Sequence, residues 1–228
     1  MLINQSNFED IVKQVRAANA VLVAVSKTKS TEAIKELYDL GQRDFGENYV
    51  QELVEKQTQL PQDIKWHFIG HLQSNKVKYI APFIHLIHGV DSLKLLHEIN
   101  KQAFKQNRII QVLLQVHIAQ EETKFGLDTA ELKQILVNES EFISQLNHIH
   151  IKGLMGMASF TDNMDKVKEE FINLKSIYDE YKQYSLPNCK FDTLSMGMSS
   201  DYKVALAEGS TLIRIGSLLF GEREYQKA

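Results

Sequence analysis

VLVAVSKTKSTEAIKELYDLG, residues 21–41, sets the architecture. Its first six residues, VLVAVS, form a short, apolar, β-branched run, which reads as a strand. Ser30 stands where a helix N-cap belongs, Ile34, Leu37 and Tyr38 follow at helical spacing, and Gly41 supplies a stop. A strand that hands over to a helix is the repeating unit of a parallel sheet.

The same unit recurs along the chain. Strands are predicted at RDFG (43–46), KWHFIG (65–70), IHLIHGV (84–90), RIIQVLLQVHI (108–118), HIHIKGLMGM (148–157), DTLSMG (192–197) and STLIRIG (210–216). Helical patterns lie between them, at 48–60, from Ser74, from Ser92 to about 106, from Asp128 with Glu131 to about 138, over about 163–183, and from Ser199 or Ser200 to Gly209. Another amphipathic helix, 7–19, precedes the first strand, with Ser6 and Glu9 as its capping box. Eight strands with helices between them predict an α/β fold, a (β/α)8 TIM-type barrel with an extra N-terminal helix. The alternative is an open doubly wound sheet, but no G-x-G-x-x-G follows the first strand. No linker or charge block divides the chain, so residues 1–228 are expected to form a single domain.

Composition excludes several classes. The net charge of −3 gives no basic surface for nucleic acid or anionic lipid. The apolar stretch IIQVLLQVHIAQ (109–120) is too short to span a bilayer, and MLINQSNFEDIV has no signal-peptide pattern. The lone Cys189, in a Pro-Asn-Cys-Lys loop, precludes a disulfide framework and a cysteine-based zinc site, which points to the reducing cytoplasm. The histidine pairs His148/His150 and His85/His88 lack a joining carboxylate or cysteine pattern, so no metal is expected.

In barrels of this kind the site forms at the C-terminal ends of the strands. Lys27, FGENY (45–49), GHLQSNK (70–76), HGVDS (88–92), LMGMAS (154–159), SMGMSSD (195–201) and RIGS (214–217) all fall there. The last two suit a phosphate, because glycine lets backbone approach closely and serine adds a donor. Ordinary helix caps explain the same residues. Strand alternation puts Val21, Val23, Val25 and Lys27 on one face, so Lys27 sits at the rim of a buried surface. Desolvation there favours the free amine and suggests a Schiff base with a phosphorylated aldehyde. A solvated surface lysine is the competing reading, and Lys29, of the same parity, is the second candidate.

The segments AVSKTK, FGENYVQE, WHFIGHLQSNK, GLMGM, LSMGMSSDYKVALAEGSTLIRIG and FGER, in this order from about 21 to 223, closely resemble the pyridoxal phosphate homeostasis protein family. That family binds pyridoxal 5′-phosphate (PLP) in a barrel related to the N-terminal domain of alanine racemase. The resemblance implies that Lys27 carries PLP as an internal aldimine. It implies that Ser199, Gly216 and Ser217 surround the phosphate, with Ser195 and Met196 lining that side, and that Arg214 faces the pyridine nitrogen. Asn48, His71 and Met155 match positions close to the cofactor. A guanidinium at the ring nitrogen makes the ring a weaker electron sink than a carboxylate would. The chain departs from many relatives at Ser30 and at His117, where they carry proline and asparagine, while Lys124 and Gly126 are family-like.

The resemblance implies a cytoplasmic, monomeric regulator of PLP homeostasis without catalytic turnover, which hands PLP to apo-enzymes. An amino-acid racemase is the alternative, disfavoured because alanine racemase draws a catalytic tyrosine from a C-terminal β-domain not expected here. A lysine aldolase is disfavoured by a lysine on strand 1 paired with a pyridine-facing arginine.

Overall fold

The computed structural model describes residues 2–119, 125–184 and 186–221. Eight strands, β1 (Val21–Val25), β2 (Asp44–Glu47), β3 (Lys65–Phe68), β4 (Leu86–Val90), β5 (Ile110–Gln115), β6 (Ile149–Met155), β7 (Cys189–Ser195) and β8 (Leu212–Ile215), close into a barrel in chain order. Every pairing is parallel, and β8 returns to β1 with Val21 beside Leu212 and Val23 beside Arg214. Helices α1 (Gln5–Ala17), α2 (Thr31–Asp39), α3 (Val50–Gln59), α4 (Val77–Ile80), α5 (Leu93–Lys105), α6 (Thr129–Lys133), α7 (Ser140–Ser144), α8 (Met164–Tyr181), α9 (Tyr202–Ala207) and α10 (Ser217–Phe220) flank it. The (β/α)8 barrel with an added N-terminal helix is therefore the observed fold.

Alternation along the strands divides the buried side chains between two regions. Leu22, Ala24, Phe45, Trp66, Phe68 and Ile87 face outward and pack with the helices in the main core. Val23, Leu86, Leu113, Met155 and Leu212 form a separate small cluster inside the barrel. Three pairings carry a register shift that adjusts this pattern: β4 with β5 between Ile87 and Val90, β5 with β6 between Val112 and Leu113, and β6 with β7 between Ile151 and Gly153.

Local signals mostly act as the sequence indicates. Ser30 and Ser92 cap α2 and α5 by accepting the N–H groups of Ala33 and Leu95. Asp128 and Glu131 complete a reciprocal capping box. Three expectations are corrected. Asn4, rather than Ser6, caps α1 by accepting the Asn7 N–H, because the helix starts earlier than its apolar repeat. Neither Ser199 nor Ser200 caps α9, which begins at Tyr202 behind Asp201. Cys189 is not in a loop: it opens β7, is buried, and has its thiol pushed up to about 12 by burial, so it is inert at neutral pH.

Candidate functional site

The C-terminal ends of the strands gather most of the residues singled out from sequence. Lys27 lies half-buried in the turn that follows β1. That turn is closed by the Lys29 N–H donating to the Ser26 carbonyl at 3.0 Å. Thr28 holds a left-handed φ of 64°, an unfavourable conformation for a β-branched residue. Lys29 Nζ donates to the Phe220 carbonyl at 3.0 Å, so the second candidate amine is tied to the end of α10.

The turn is braced from the helix side. Ser26 points outward, and its hydroxyl donates to Glu47 Oε1 at 2.6 Å. Lys56, from α3, donates to the Ser26 carbonyl at 2.8 Å, to Glu47 Oε1 at 2.8 Å and to Glu52 Oε1 at 2.6 Å. Glu52 Oε1 also accepts the Thr28 N–H at 2.6 Å. Glu47 is fully buried and Lys56 nearly so. Burial pushes the Glu47 carboxyl above the usual range, while Lys56 and Ser26 pull against that.

Inside the barrel, Arg214 is 4 % exposed. It shares a face of β8 with Leu212, a member of the interior cluster. Its Nη1 donates to Ser195 Oγ at 2.5 Å and its Nη2 to the Gly156 carbonyl at 3.1 Å. Burial pulls its pKa down to about 10, against an opposing effect of Asp201, so it stays cationic at neutral pH. Ser195 Oγ lies 3.2 Å from His88 Nδ1, His88 Nε2 lies 2.9 Å from His67 Nδ1, and His67 Nε2 lies 3.0 Å from Asp44 Oδ1.

The loops after β7 and β8 meet where the sequence brings glycines and serines together. Ser199 Oγ accepts the Gly216 N–H at 3.3 Å. Gly197 has a φ of 96°, and a Cβ there would come 2.5 Å from Ala205, so only glycine fits this bend. Gly216 is half-buried and Ser217 exposed at the start of α10. Met196 sends its side chain into the outer core. Met155 is buried in the interior cluster, beside Ser195 in register. Asn48 follows β2, and its Oδ1 is buried without a hydrogen-bond partner. His71, at the mouth after β3, stacks on Phe125 at 4.4 Å and lies 3.4 Å from Asp91. Lys124 lies outside the described residues; Gly126 has a φ of 142° and packs against the His117 backbone.

The alanine racemase N-terminal domain family matches residues 4–224. A pyridoxal phosphate homeostasis protein from Aquifex aeolicus is 42% identical over 207 residues, covering 90% of this chain and 88% of its own. This chain belongs to the pyridoxal phosphate homeostasis protein family. A solved structure of similar length is PipY of Synechococcus elongatus PCC7942, described with PLP bound. It superposes with a TM-score of 0.84 at 37% identity, over 95% of this chain and 99% of PipY. Alanine racemase from Bartonella henselae shares the fold, with a TM-score of 0.69 at 18% identity over 92% of this chain and 56% of the racemase.

Two parts of this family member's site were not legible in the sequence. One is the Glu47–Lys56–Glu52 brace behind Lys27. Lys56 is an ordinary-looking helical lysine, and only the spacing Glu52-x-x-x-Lys56 hints at a pair. The other is the polar seam through the barrel. The sequence set His85 beside His88, whereas His67, from β3, is the residue that touches His88. His85 instead joins Asp44 and His67, with ligand-type atoms of all three within 4.8 Å of one another. A carboxylate does accompany these histidines, contrary to the sequence expectation, but Asp44 already accepts a hydrogen bond from His67.

Proposed function

We propose that this protein binds PLP covalently through Lys27 and serves PLP homeostasis, keeping the reactive aldehyde sequestered and passing it to PLP-dependent apo-enzymes, without a catalytic cycle of its own. The observation that carries this reading is the register of β1 against β8. Val23 pairs with the buried Arg214, and Lys27 follows four residues later at the tip of the same strand, on the same parity. An amine and a guanidinium thus belong to neighbouring strands at one end of the barrel. Kinship with PipY, described with PLP bound, supports the choice of ligand.

When bound, the cofactor supplies an aldehyde that condenses with a lysine amine and a pyridine ring that accepts electron density. Lys27 provides the amine. Arg214, a permanent donor, serves the ring nitrogen and disfavours its protonation, which suits holding better than carbanion chemistry. Ser199, Gly216 and Ser217 hold the phosphate, with Ser195 and the backbone of Met196, whose side chain turns into the outer core, on that side. Asn48, His71 and Met155 border the ring. The residues fit such a ligand in two respects. Asn48 Oδ1 is a buried acceptor that still lacks a donor. A Cβ at Gly70 would fall 2.7 Å from the Asn48 carbonyl, so the pocket wall closes only with glycine there.

The reading extends to one barrel domain over residues 1–228, acting as a cytoplasmic monomer that binds neither nucleic acid nor membrane. The single buried thiol and the net charge of −3 support it. Among the described residues, no helix is long and apolar enough to cross a membrane.

Borohydride reduction followed by peptide mapping tests the attachment. A pyridoxyl adduct on Lys27, lost in Lys27→Ala, is expected; an adduct on Lys29, or none after adding PLP, overturns it. Exchange of the α-proton of alanine in heavy water, with inversion at enzyme-like rates, would replace the carrier with a racemase.

A further inference from the structure

The hydrogen bonds inside the barrel join into one line from β8 to β2. Arg214, Ser195, His88, His67 and Asp44 are linked in that order by contacts of 2.5, 3.2, 2.9 and 3.0 Å. Ser195 and His88 are fully buried and His67 is 2 % exposed. Asp44 opens β2, at the N-terminal end of the barrel.

The carboxylate end of this line dictates its direction, and the guanidinium end is compatible with it. A guanidinium has donors only, so Ser195 Oγ must accept from Arg214. A carboxylate accepts only, so His67 must carry its proton on Nε2, facing Asp44. Neutral His67 then has a bare Nδ1, which requires the proton of His88 on Nε2. Neutral His88 in turn has a bare Nδ1, which takes the Ser195 O–H. With both imidazoles neutral, this is the single assignment in which all four contacts are hydrogen bonds. Burial, together with the nearby Arg214, holds the His88 pKa well below its usual value, which agrees with a neutral ring. Burial works to raise the Asp44 carboxyl, but the hydrogen bond from His67, helped by the charge of Lys65, outweighs it and keeps the group ionised.

We propose that Arg214–Ser195–His88–His67–Asp44 is a one-way hydrogen-bond relay that fixes the orientation of Arg214 from the opposite end of the barrel, which makes His88 and His67 positioning residues for the pyridine side of the site. The functional half of this proposal rests on the reading that Arg214 faces the cofactor ring; the relay itself does not. The relay replaces apolar filling in the barrel centre with a polar network whose members are satisfied in sequence, and such a network is rigid when complete.

The test reads the imidazole protons directly. In cofactor-free, ¹⁵N-labelled protein, both His67 and His88 are expected as the Nε2–H tautomer. Asp44→Asn keeps the shape but offers both a donor and an acceptor, so the direction is no longer imposed. His88, which does not touch residue 44, is then expected to become a mixture of tautomers. In the PLP-loaded protein the same variant is expected to shift the absorption band of the bound cofactor. His88→Asn, which cuts the line between Ser195 and His67 without touching the residues placed against the cofactor, should shift the band likewise and serves if Asp44→Asn fails to fold. A wild-type Nδ1–H tautomer at either histidine overturns the relay. So does an Asp44→Asn protein that melts at a lower temperature yet keeps the wild-type His88 tautomer and band, because that is what a purely structural role gives. If no PLP binds Lys27, the functional reading fails with the band, and the tautomers still decide the relay.

Discussion

Lys27 occupies a turn that its own sequence does not favour. Threonine at a φ of 64° costs roughly 1–3 kcal/mol and persists only where surrounding contacts over-determine it. Those contacts are Glu52, on the Thr28 N–H, and Lys56, on the Ser26 carbonyl. The brace is itself built on a buried ion pair, since Lys56 and Glu47 have side-chain exposures of 8% and 0%. Removing one partner of such a pair leaves an uncompensated buried charge, at a cost of about 3–5 kcal/mol. Lys56→Met is therefore expected to lower stability by that amount and to slow Lys27 modification by PLP, as the turn loses its clamp. Adding Glu47→Gln should recover most of the stability, because the orphaned charge is gone, but not the rate, because the Ser26 carbonyl still lacks its donor. Urea denaturation of the single and double variants measures the first; the time course of borohydride-trapped adduct measures the second. Equal losses in single and double variants would dispose of the ion-pair account.

At the scale of elements, β1 and β6 show why some of the site was legible and some was not. β1 pairs with β8 without a register shift, so counting by twos places Val23 in the barrel interior, as observed, and gives Lys27, half-buried in the turn beyond the strand, the same parity. β6 defeats the same count. Ile149 and Ile151 face the helices, and strict alternation would send Met155 to join them. Against β5, β6 takes one extra residue between Ile151 and Gly153, and this bulge at Gly153, with a φ of 146°, flips the phase, so Leu154 faces outward and Met155 turns into the barrel. Strand order and caps such as Ser30, Ser92 and Asp128 are local and can be read from the sequence, although Ser6 and Ser199 or Ser200 show that a capping residue can sit near a helix start without capping it. Bulges and contacts across the barrel, such as His67 on His88, depend on how distant strands are set against one another. A Cβ at position 153 would lie 1.9 Å from the Thr193 carbonyl oxygen. Gly153→Ala is expected to cost more than the ~1–3 kcal/mol of a strained φ alone, because backbone must move to admit the methyl group. Thermal unfolding checks this; a loss under about 1 kcal/mol would mean that the bulge relaxes and does not set the phase of β6.

At the scale of the molecule, the polar seam sets how stability depends on pH. The barrel centre holds only a small apolar cluster, so most of the burial lies between strands and helices. His85 and His88 are depressed in the folded state. Burial, helped by His67, Lys65 and Arg108 against Asp44, pulls His85 down to about 4. Burial, with His67, Arg214 and His85, holds His88 lower than its usual value as well. A histidine of this kind is protonated first in the unfolded chain, whose value is about 6.5. Its contribution is therefore complete above pH ~6.5 and is lost as the pH falls toward the folded value. Glu47, raised by burial, works in the opposite sense, favouring the fold at the acid end of the same range. A single profile would mix the two, so the difference between variants is the informative quantity. His85 is only partly buried and its ring rests against His67 at a centroid distance of 5.4 Å, so asparagine can replace it without opening the core. His85→Asn is expected to match wild type in urea midpoint at pH 8 and to lose less stability on acidification toward pH 4.5, because one proton-linked loss has been removed while Glu47 is unchanged. Parallel acid limbs in the two proteins would show that His85 is charged as easily in the folded barrel as in the unfolded chain. The acid sensitivity would then have to arise elsewhere in the seam, at His88.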